Sequence, residues 1–220
     1  MERHAAQAAL GYIRDHMTIG LGTGKAVDYL IEFISMEDYP GLKIVAPSIA
    51  TARKCMERGL NLVPSSMVTS LDFTFDTLDF VFDDLSGSKK DVSAGLQDQL
   101  LAAMSGQFVF MADRSSLNTV VTDSYPIQVE VCRDAYSFVS AKLTEMGGDV
   151  ITNQSGKGSP DASVNGNYVL NVSFRNVKSA AALSDAICDL PGVIATSVLS
   201  TPNTIALIYD GNGVETRKAE

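Results

Sequence analysis

Through residue 125 the chain alternates short apolar runs with segments whose hydrophobic positions recur every three to four residues. The runs predict strands at Thr18–Gly22, Lys43–Pro47, Leu60–Val63, Asp79–Asp83 and Phe108–Asp113. The periodic segments predict helices over Glu2–Met17, Gly24–Ser35, Ile49–Arg58 and Val92–Ser105. In the first of these, Ala6, Ala9, Leu10, Ile13 and Met17 share one face at i, i+3 and i+4 steps. Short continuous strands separated by helices of this length form βαβ units with a parallel sheet covered on both faces. The reading is an α/β domain over residues 1–126, Rossmann-like, with a doubly wound and mostly parallel sheet. Phe73, Phe75, Phe80 and Phe82 alternate at period two and are expected to build sheet core rather than a base-stacking surface. The surrounding insertion, Pro64–Phe75, could instead cover an interface.

From Ile127 the rhythm changes. Ile127–Cys132, Val150–Asn153, Tyr168–Phe174 and Val193–Leu199 read as strands, and Ala135–Met146 and Ser179–Leu190 as helices. The order β-α-β-β-α-β is the split-βαβ, ferredoxin-like arrangement, a smaller α+β domain over residues 127–200. The polar stretch Ser155–Ser163 between its middle strands, rich in Gly, Pro and Ser, reads as a mobile loop. Thr204–Tyr209 and Val214–Arg217 flank Asp210-Gly-Asn-Gly213, a hairpin signal. That hairpin, within residues 201–220, is assigned to the first domain. No internal repeat is visible.

Composition narrows the function classes. The chain has 220 residues, 45% of them hydrophobic, enough for a sizeable core. A formal net charge of -9 disfavours nucleic-acid binding, which needs clustered Lys and Arg. It also disfavours anionic membrane surfaces, and no apolar run is long enough to insert directly into a bilayer. The leading segment contains Glu2, Arg3, Arg14 and Asp15 and so lacks the apolar core of a secretory signal. Three widely spaced cysteines, Cys55, Cys132 and Cys188, fit buried thiols in a reducing compartment, cytoplasm or organelle interior, rather than a secreted protein. His4 and His16 are the only histidines, so no zinc set and no His-dependent triad is expected.

The chemistry concentrates at Thr18–Lys25, T-I-G-L-G-T-G-K, a strand running into a glycine turn with a helix behind it. A Walker A loop fails, because Ile19 stands at its first glycine and Ala26 follows Lys25. The dinucleotide fingerprint fails at its third glycine, which is Lys25, and at the acid expected after the second strand, where Ala46-Pro47-Ser48 stands. No cofactor is therefore expected. Two readings remain. One is a monophosphate cradle in which the backbone N–H groups of Thr23–Ala26, the Thr23 hydroxyl and the helix dipole face an anion and Lys25 adds a charge, with Gly22, Thr23, Gly24 and Lys25 as the substrate-binding candidates. The other is a tight strand-to-helix turn without a ligand.

Several segments then occur in one order: Gly20–Lys25 (G-L-G-T-G-K), Phe108–Ser115 (F-V-F-M-A-D-R-S), Tyr125–Val131 (Y-P-I-Q-V-E-V), Leu143–Gly148 (L-T-E-M-G-G), Leu190–Val193 (L-P-G-V) and Thr204–Val214. Together they resemble the type A ribose-5-phosphate isomerases over nearly the whole chain. The resemblance implies aldose–ketose isomerisation through an enediolate, with a carboxylate base, oxyanion donors and a phosphate anchor. It also implies an active site carried by the doubly wound domain and subunit contacts through the smaller one, commonly in dimers or tetramers.

Carried over residue by residue, the resemblance places the base on Asp98. It places the first aspartate of the acidic D-G-A-D-E loop on Asp83, with Asp84 beside it, and the lysine of a Lys-Gly-Gly-Gly stretch on Lys89. Ser48 falls in the family's serine-rich turn and joins the glycine turn as a substrate-binding candidate. The departures are equally specific. Ser86 stands at the loop's second aspartate, Lys90-Asp91-Val92 replaces the glycines, and Ser116 stands where a later lysine is expected. Read alone, Asp98 is an exposed helix carboxylate and Lys89-Lys90 a solvated loop. The first expectation is thus a non-catalytic isomerase relative acting as a structural or assembly subunit, through protein partners or as a homo-oligomer. The alternatives are an active isomerase and a phosphosugar-binding sensor.

Overall fold

A computed structural model describes residues 2–89, 95–118, 126–151, 154–155 and 159–219. Along them run α1 (Glu2–Leu10), β1 (Thr18–Leu21), α2 (Lys25–Ile34), β2 (Lys43–Val45), α3 (Ile49–Glu57) and β3 (Leu71–Thr77). Next come β4 (Phe80–Val81), β5 (Gly87–Ser88), α4 (Gly95–Met104) and β6 (Ser105–Asp113). They are followed by β7 (Ile127–Val131), α5 (Tyr136–Glu145), β8 (Asp149–Ile151), β9 (Gln154–Ser155), β10 (Ser159–Pro160) and β11 (Tyr168–Ser173). The chain closes with α6 (Ala180–Cys188), β12 (Val193–Thr196), β13 (Val198–Leu199), β14 (Thr204–Tyr209) and β15 (Val214–Lys218).

Two units emerge. The first joins Met1–Asp79, Leu100–Leu117 and Thr201–Glu220. Its sheet has the order β15-β14-β6-β3-β1-β2, parallel throughout except for β15. The α/β expectation holds, and the hairpin β14–β15 completes this sheet. Helix α2 supplies Val27, Leu30 and Ile31 to a core that also buries Ile19, Phe75, Val109 and Leu207. Burial of a large aliphatic side chain contributes about 1.5–3 kcal/mol, so this continuous apolar set dominates the unit's stability.

Three details differ from the sequence reading. The sheet's third parallel strand is β3, Leu71–Thr77, which begins inside the Pro64–Phe75 insertion, and not Asp79–Asp83. The apolar run was obscured by Asp72, Thr74 and Asp76 on the alternate positions. Leu60–Val63 contributes a single bridge, Leu62 to Ile44. Helix α1 ends at Leu10, and His16 takes φ 62, so Ile13 is buried from a turn rather than from a helix.

The second unit comprises Phe80–Gln99 and Asn118–Ser200, so its edge falls at residues different from the boundary at 126. Its larger sheet has the order β12-β7-β11-β8, antiparallel throughout, with α5 and α6 in the connections. This is the expected ferredoxin-like β-α-β-β-α-β arrangement. Val129, Val131, Val139, Leu143, Leu170 and Ile187 form its core, with Phe82 added. The stretch read as one strand, Val193–Leu199, is split: β12 belongs to this sheet, whereas β13 pairs with β5 in a small sheet ordered β13-β5-β4. The loop Ser155–Ser163 holds the paired strands β9 and β10, and its residues 156–158 lie outside the described ones.

Of the three cysteines only Cys55 is buried; Cys132 is half-buried and Cys188 exposed. Burial pushes the Cys55 thiol up to about 11. Among the described residues no helix is long and apolar enough to cross a membrane.

Candidate functional site

In the first unit the carboxyl ends of β1, β2 and β3 meet around the glycine turn, the edge where open α/β sheets bind ligands. Helix α2 begins after Gly24, which takes φ 119 and supplies no side-chain cap. Gly24 therefore caps none of the helix's first N–H groups, and a helix start is a common anion site. The Thr23 amide is engaged differently: it donates to Asp76 Oδ1 at 3.0 Å, and that oxygen also accepts from the Thr77 amide at 2.8 Å. Thr77 Oγ1 donates to the Thr23 carbonyl at 2.5 Å. Thr51 Oγ1 donates to the Gly22 carbonyl at 2.9 Å. Ser48 caps α3 through a long contact, 3.5 Å from the Thr51 amide. Lys25 is turned to Glu2, at 3.4 Å, with two thirds of its side chain exposed.

Asp76 is the residue that sequence reasoning missed here. It is 1% exposed, and its carboxylate fills the space that a side chain at Gly22 would need. The signal lay in the polar alternation Asp72, Thr74, Asp76 along an aromatic strand. Gly22→Ala would drive its Cβ into the Asp76 carboxylate, and overpacking of this kind costs about 1–3 kcal/mol. The variant is expected to melt several degrees lower and to lose any stabilisation by inorganic phosphate, both read by thermal denaturation.

In the second unit, β4 and β5 bracket a tight turn. The Phe82 amide donates to the Ser86 carbonyl at 2.8 Å, and Leu85 takes φ 58. Asp84 Oδ1 accepts from the Ser86 amide at 2.9 Å and from its hydroxyl at 2.5 Å, while Ser179 Oγ lies 3.4 Å from Oδ2. Asp83 is exposed beside it. Lys89 follows β5, and Asp98 sits in the first turn of α4, where the helix dipole favours a carboxylate.

Lys89 Nζ lies 3.0 Å from Asp98 Oδ2. Their side chains are 6% and 12% exposed. This corrects the expectation of a solvated lysine loop and an exposed helix carboxylate. Two opposite charges withdrawn from water lose several kcal/mol of hydration each, so such a pair is weak evidence of stabilisation. The arrangement is a carboxylate next to a fixed cation, the equipment for moving a proton and balancing the negative charge that results. Lys90, Asp91 and Val92 lie outside the described residues. Ser116 belongs to a 3-10 turn capped by Asp113, whose carboxyl is held below its ordinary range by its bonds from Ser115. Among the described residues no cluster of three or more His, Cys, Asp or Glu is placed to hold a metal ion.

A doubly wound domain with a glycine turn at its strand ends, followed by a ferredoxin-like unit carrying a largely buried lysine–carboxylate pair, makes this an α/β protein of two units. The chain matches the model of the family Ribose 5-phosphate isomerase A (phosphoriboisomerase A) over residues 43–213. It is 30% identical over 215 residues to the ribose-5-phosphate isomerase A of Sphingopyxis alaskensis, covering 97% of this chain and 93% of the relative. It is likewise 30% identical over 228 residues to that of Sinorhizobium fredii, covering 100% and 97%. Among solved structures, ribose 5-phosphate isomerase A from Methanocaldococcus jannaschii superimposes with a TM-score of 0.88 at 26% identity, covering 99% and 97% of the two chains. The chain belongs to the ribose 5-phosphate isomerase A family.

Proposed function

We propose that the chain is an active aldose–ketose isomerase that interconverts ribose 5-phosphate and ribulose 5-phosphate. The observation that carries this reading is the part-buried contact of the buried Lys89 with Asp98 at 3.0 Å, an arrangement for which stability alone gives little return. The full-length similarity to proteins named ribose-5-phosphate isomerase A supports it.

In this reading the Asp98 carboxylate removes the proton from C2 of the open-chain aldose and returns it to C1. The intermediate is an enediolate, whose negative charge the Lys89 ammonium stabilises. The hydroxyl proton on O2 passes to O1 as the C2 carbonyl forms, and the Asp98 carboxyl group, neutral while it holds the carbon proton, is regenerated as the carboxylate when it delivers that proton to C1. A positioned base contributes roughly 10²–10⁴-fold and a charge stabiliser roughly 10²–10³-fold.

The purified protein is expected to convert ribose 5-phosphate to ribulose 5-phosphate well above the uncatalysed rate. Absence of conversion by a folded preparation would overturn the reading. It would favour the second one, a non-catalytic subunit or phosphosugar-binding protein, whose support is Ser86 and Ser116 at positions where the family resemblance places an aspartate and a lysine.

A further inference from the structure

We infer that Gln99 is a positioning residue that sets Asp98 opposite Lys89; its role in turnover rests on the isomerase reading above. Gln99 follows Asp98 in α4, and its Nε2 donates to the Thr196 carbonyl at 3.0 Å, to the Val198 carbonyl at 3.2 Å and to Thr196 Oγ1 at 3.3 Å. Two of these acceptors are backbone carbonyls, which only accept, so the amide must present its nitrogen here. The anchor is itself fixed. Thr196 is 1% exposed, its hydroxyl lies 2.6 Å from Ser184 Oγ, and it accepts from the Val198 amide at 3.3 Å.

The same short segment holds the other half of the pair. Strand β13 pairs with β5, with Val198 opposite Ser88 and Leu199 opposite Gly87. Lys89 is the next residue. Val198 therefore constrains Lys89 through the β5 ladder and Asp98 through the Gln99 amide. Consecutive residues of an α-helix project about 100° apart. Fixing the Gln99 side chain therefore fixes the rotation of the helix start and with it the direction of the Asp98 carboxylate. Sequence reading placed no weight on Gln99, because its acceptors lie almost a hundred residues away.

The test compares Gln99→Met, which keeps the length and removes the donors, with Gln99→Lys, whose ammonium carries three N–H donors for the same three acceptors. Two readouts are taken on full-length protein: the 13C resonance of the Asp98 carboxyl carbon, assigned with Asp98→Asn, and steady-state kinetics with ribose 5-phosphate. Gln99→Met is expected to move the Asp98 resonance in the same direction as Lys89→Met and to lower kcat about 10–100-fold, the scale of a misplacement of about 1 Å. KM should stay within about threefold, since substrate binding is untouched. Gln99→Lys is expected to restore both readouts. An Asp98 resonance unchanged in Gln99→Met overturns the inference whatever the kinetics show. So does a fall in both variants that merely follows a loss of melting temperature. If the resonance behaves as expected but the wild-type chain shows no turnover, the isomerase reading fails while the positioning of Asp98 by Gln99 stands.

Discussion

Asp98→Asn is expected to lower kcat for ribose 5-phosphate isomerisation by about 10²–10⁴-fold, the contribution of a positioned general base, with KM little changed. The asparagine side-chain oxygen still accepts from Lys89, so the pair's hydrogen bond is kept while the ability to take a proton is lost. The companion variant is the double replacement Lys89→Met with Asp98→Leu. Exchanging a buried ion pair for apolar groups of similar volume is often neutral or stabilising by about 1–4 kcal/mol, whereas removing one partner is strongly destabilising. The double variant is therefore expected to be inactive yet to melt no lower than wild type. If instead it unfolds while Asp98→Asn remains fully active, the pair is structural and another group is the base. Steady-state kinetics and calorimetry on the same preparations separate the two outcomes.

The second large effect is on stability. Glu130 lies in β7 and is 4% exposed. Its Oε1 accepts from Ser163 Oγ at 2.7 Å, Asn167 Nδ2 at 2.8 Å and Asn165 Nδ2 at 3.1 Å. The Ser163 hydroxyl in turn accepts from the Asn165 and Asn167 amides at 3.2 and 3.3 Å. One carboxylate oxygen thus closes the loop leading into β11. Glu130→Ala would leave these donors without their acceptor, and each hydrogen bond to a charged group is worth about 1.5–3 kcal/mol, less than additively when shared. A loss of about 3–4 kcal/mol is expected, a fall in Tm of roughly 6–16 °C for a chain of this size. Glu130→Gln keeps an acceptor in the same place and should cost about 1 kcal/mol. Thermal denaturation of the two variants checks this, and equal melting of both would contradict it.

Much of the architecture was legible because it is written in local periodicity. Val27, Leu30, Ile31 and Ile34 recur at helical spacing in α2. The β-α-β-β-α-β succession after Ile127 has one common packing solution. The errors have physical causes. Strand β3 was hidden because Asp72 and Asp76 are polar for specific reasons: Asp72 accepts from the Thr18 amide at 2.7 Å, and Asp76 from the glycine turn. The helical pattern of α1 extends past the helix because Ile13 is buried although the helix ends at Leu10.

The site was less legible than the fold. Lysine and aspartate nine positions apart carry no local sign of contact. The ladder between β5 and β13 and the Gln99 anchor help to bring Lys89 and Asp98 together. The glycine turn was visible, but its occupant was not. The glycine-turn pattern points Thr23 and Lys25 at an anion, whereas the Thr23 amide donates to Asp76 and Lys25 is paired with Glu2. Tertiary partners, rather than residue type or spacing, decide which polar groups remain available.

The central claim is that Asp98 moves a proton between C2 and C1 of the sugar. The most direct measurement is NMR of the products formed from ribose 5-phosphate in D2O by the wild-type chain and by Asp98→Asn. The account predicts deuterium at C1 of ribulose 5-phosphate, and at C2 of ribose 5-phosphate recovered after reversal, with the wild-type chain and only background labelling with the variant. No labelling and no ketose with the folded wild-type chain, or equal labelling with both, would contradict it.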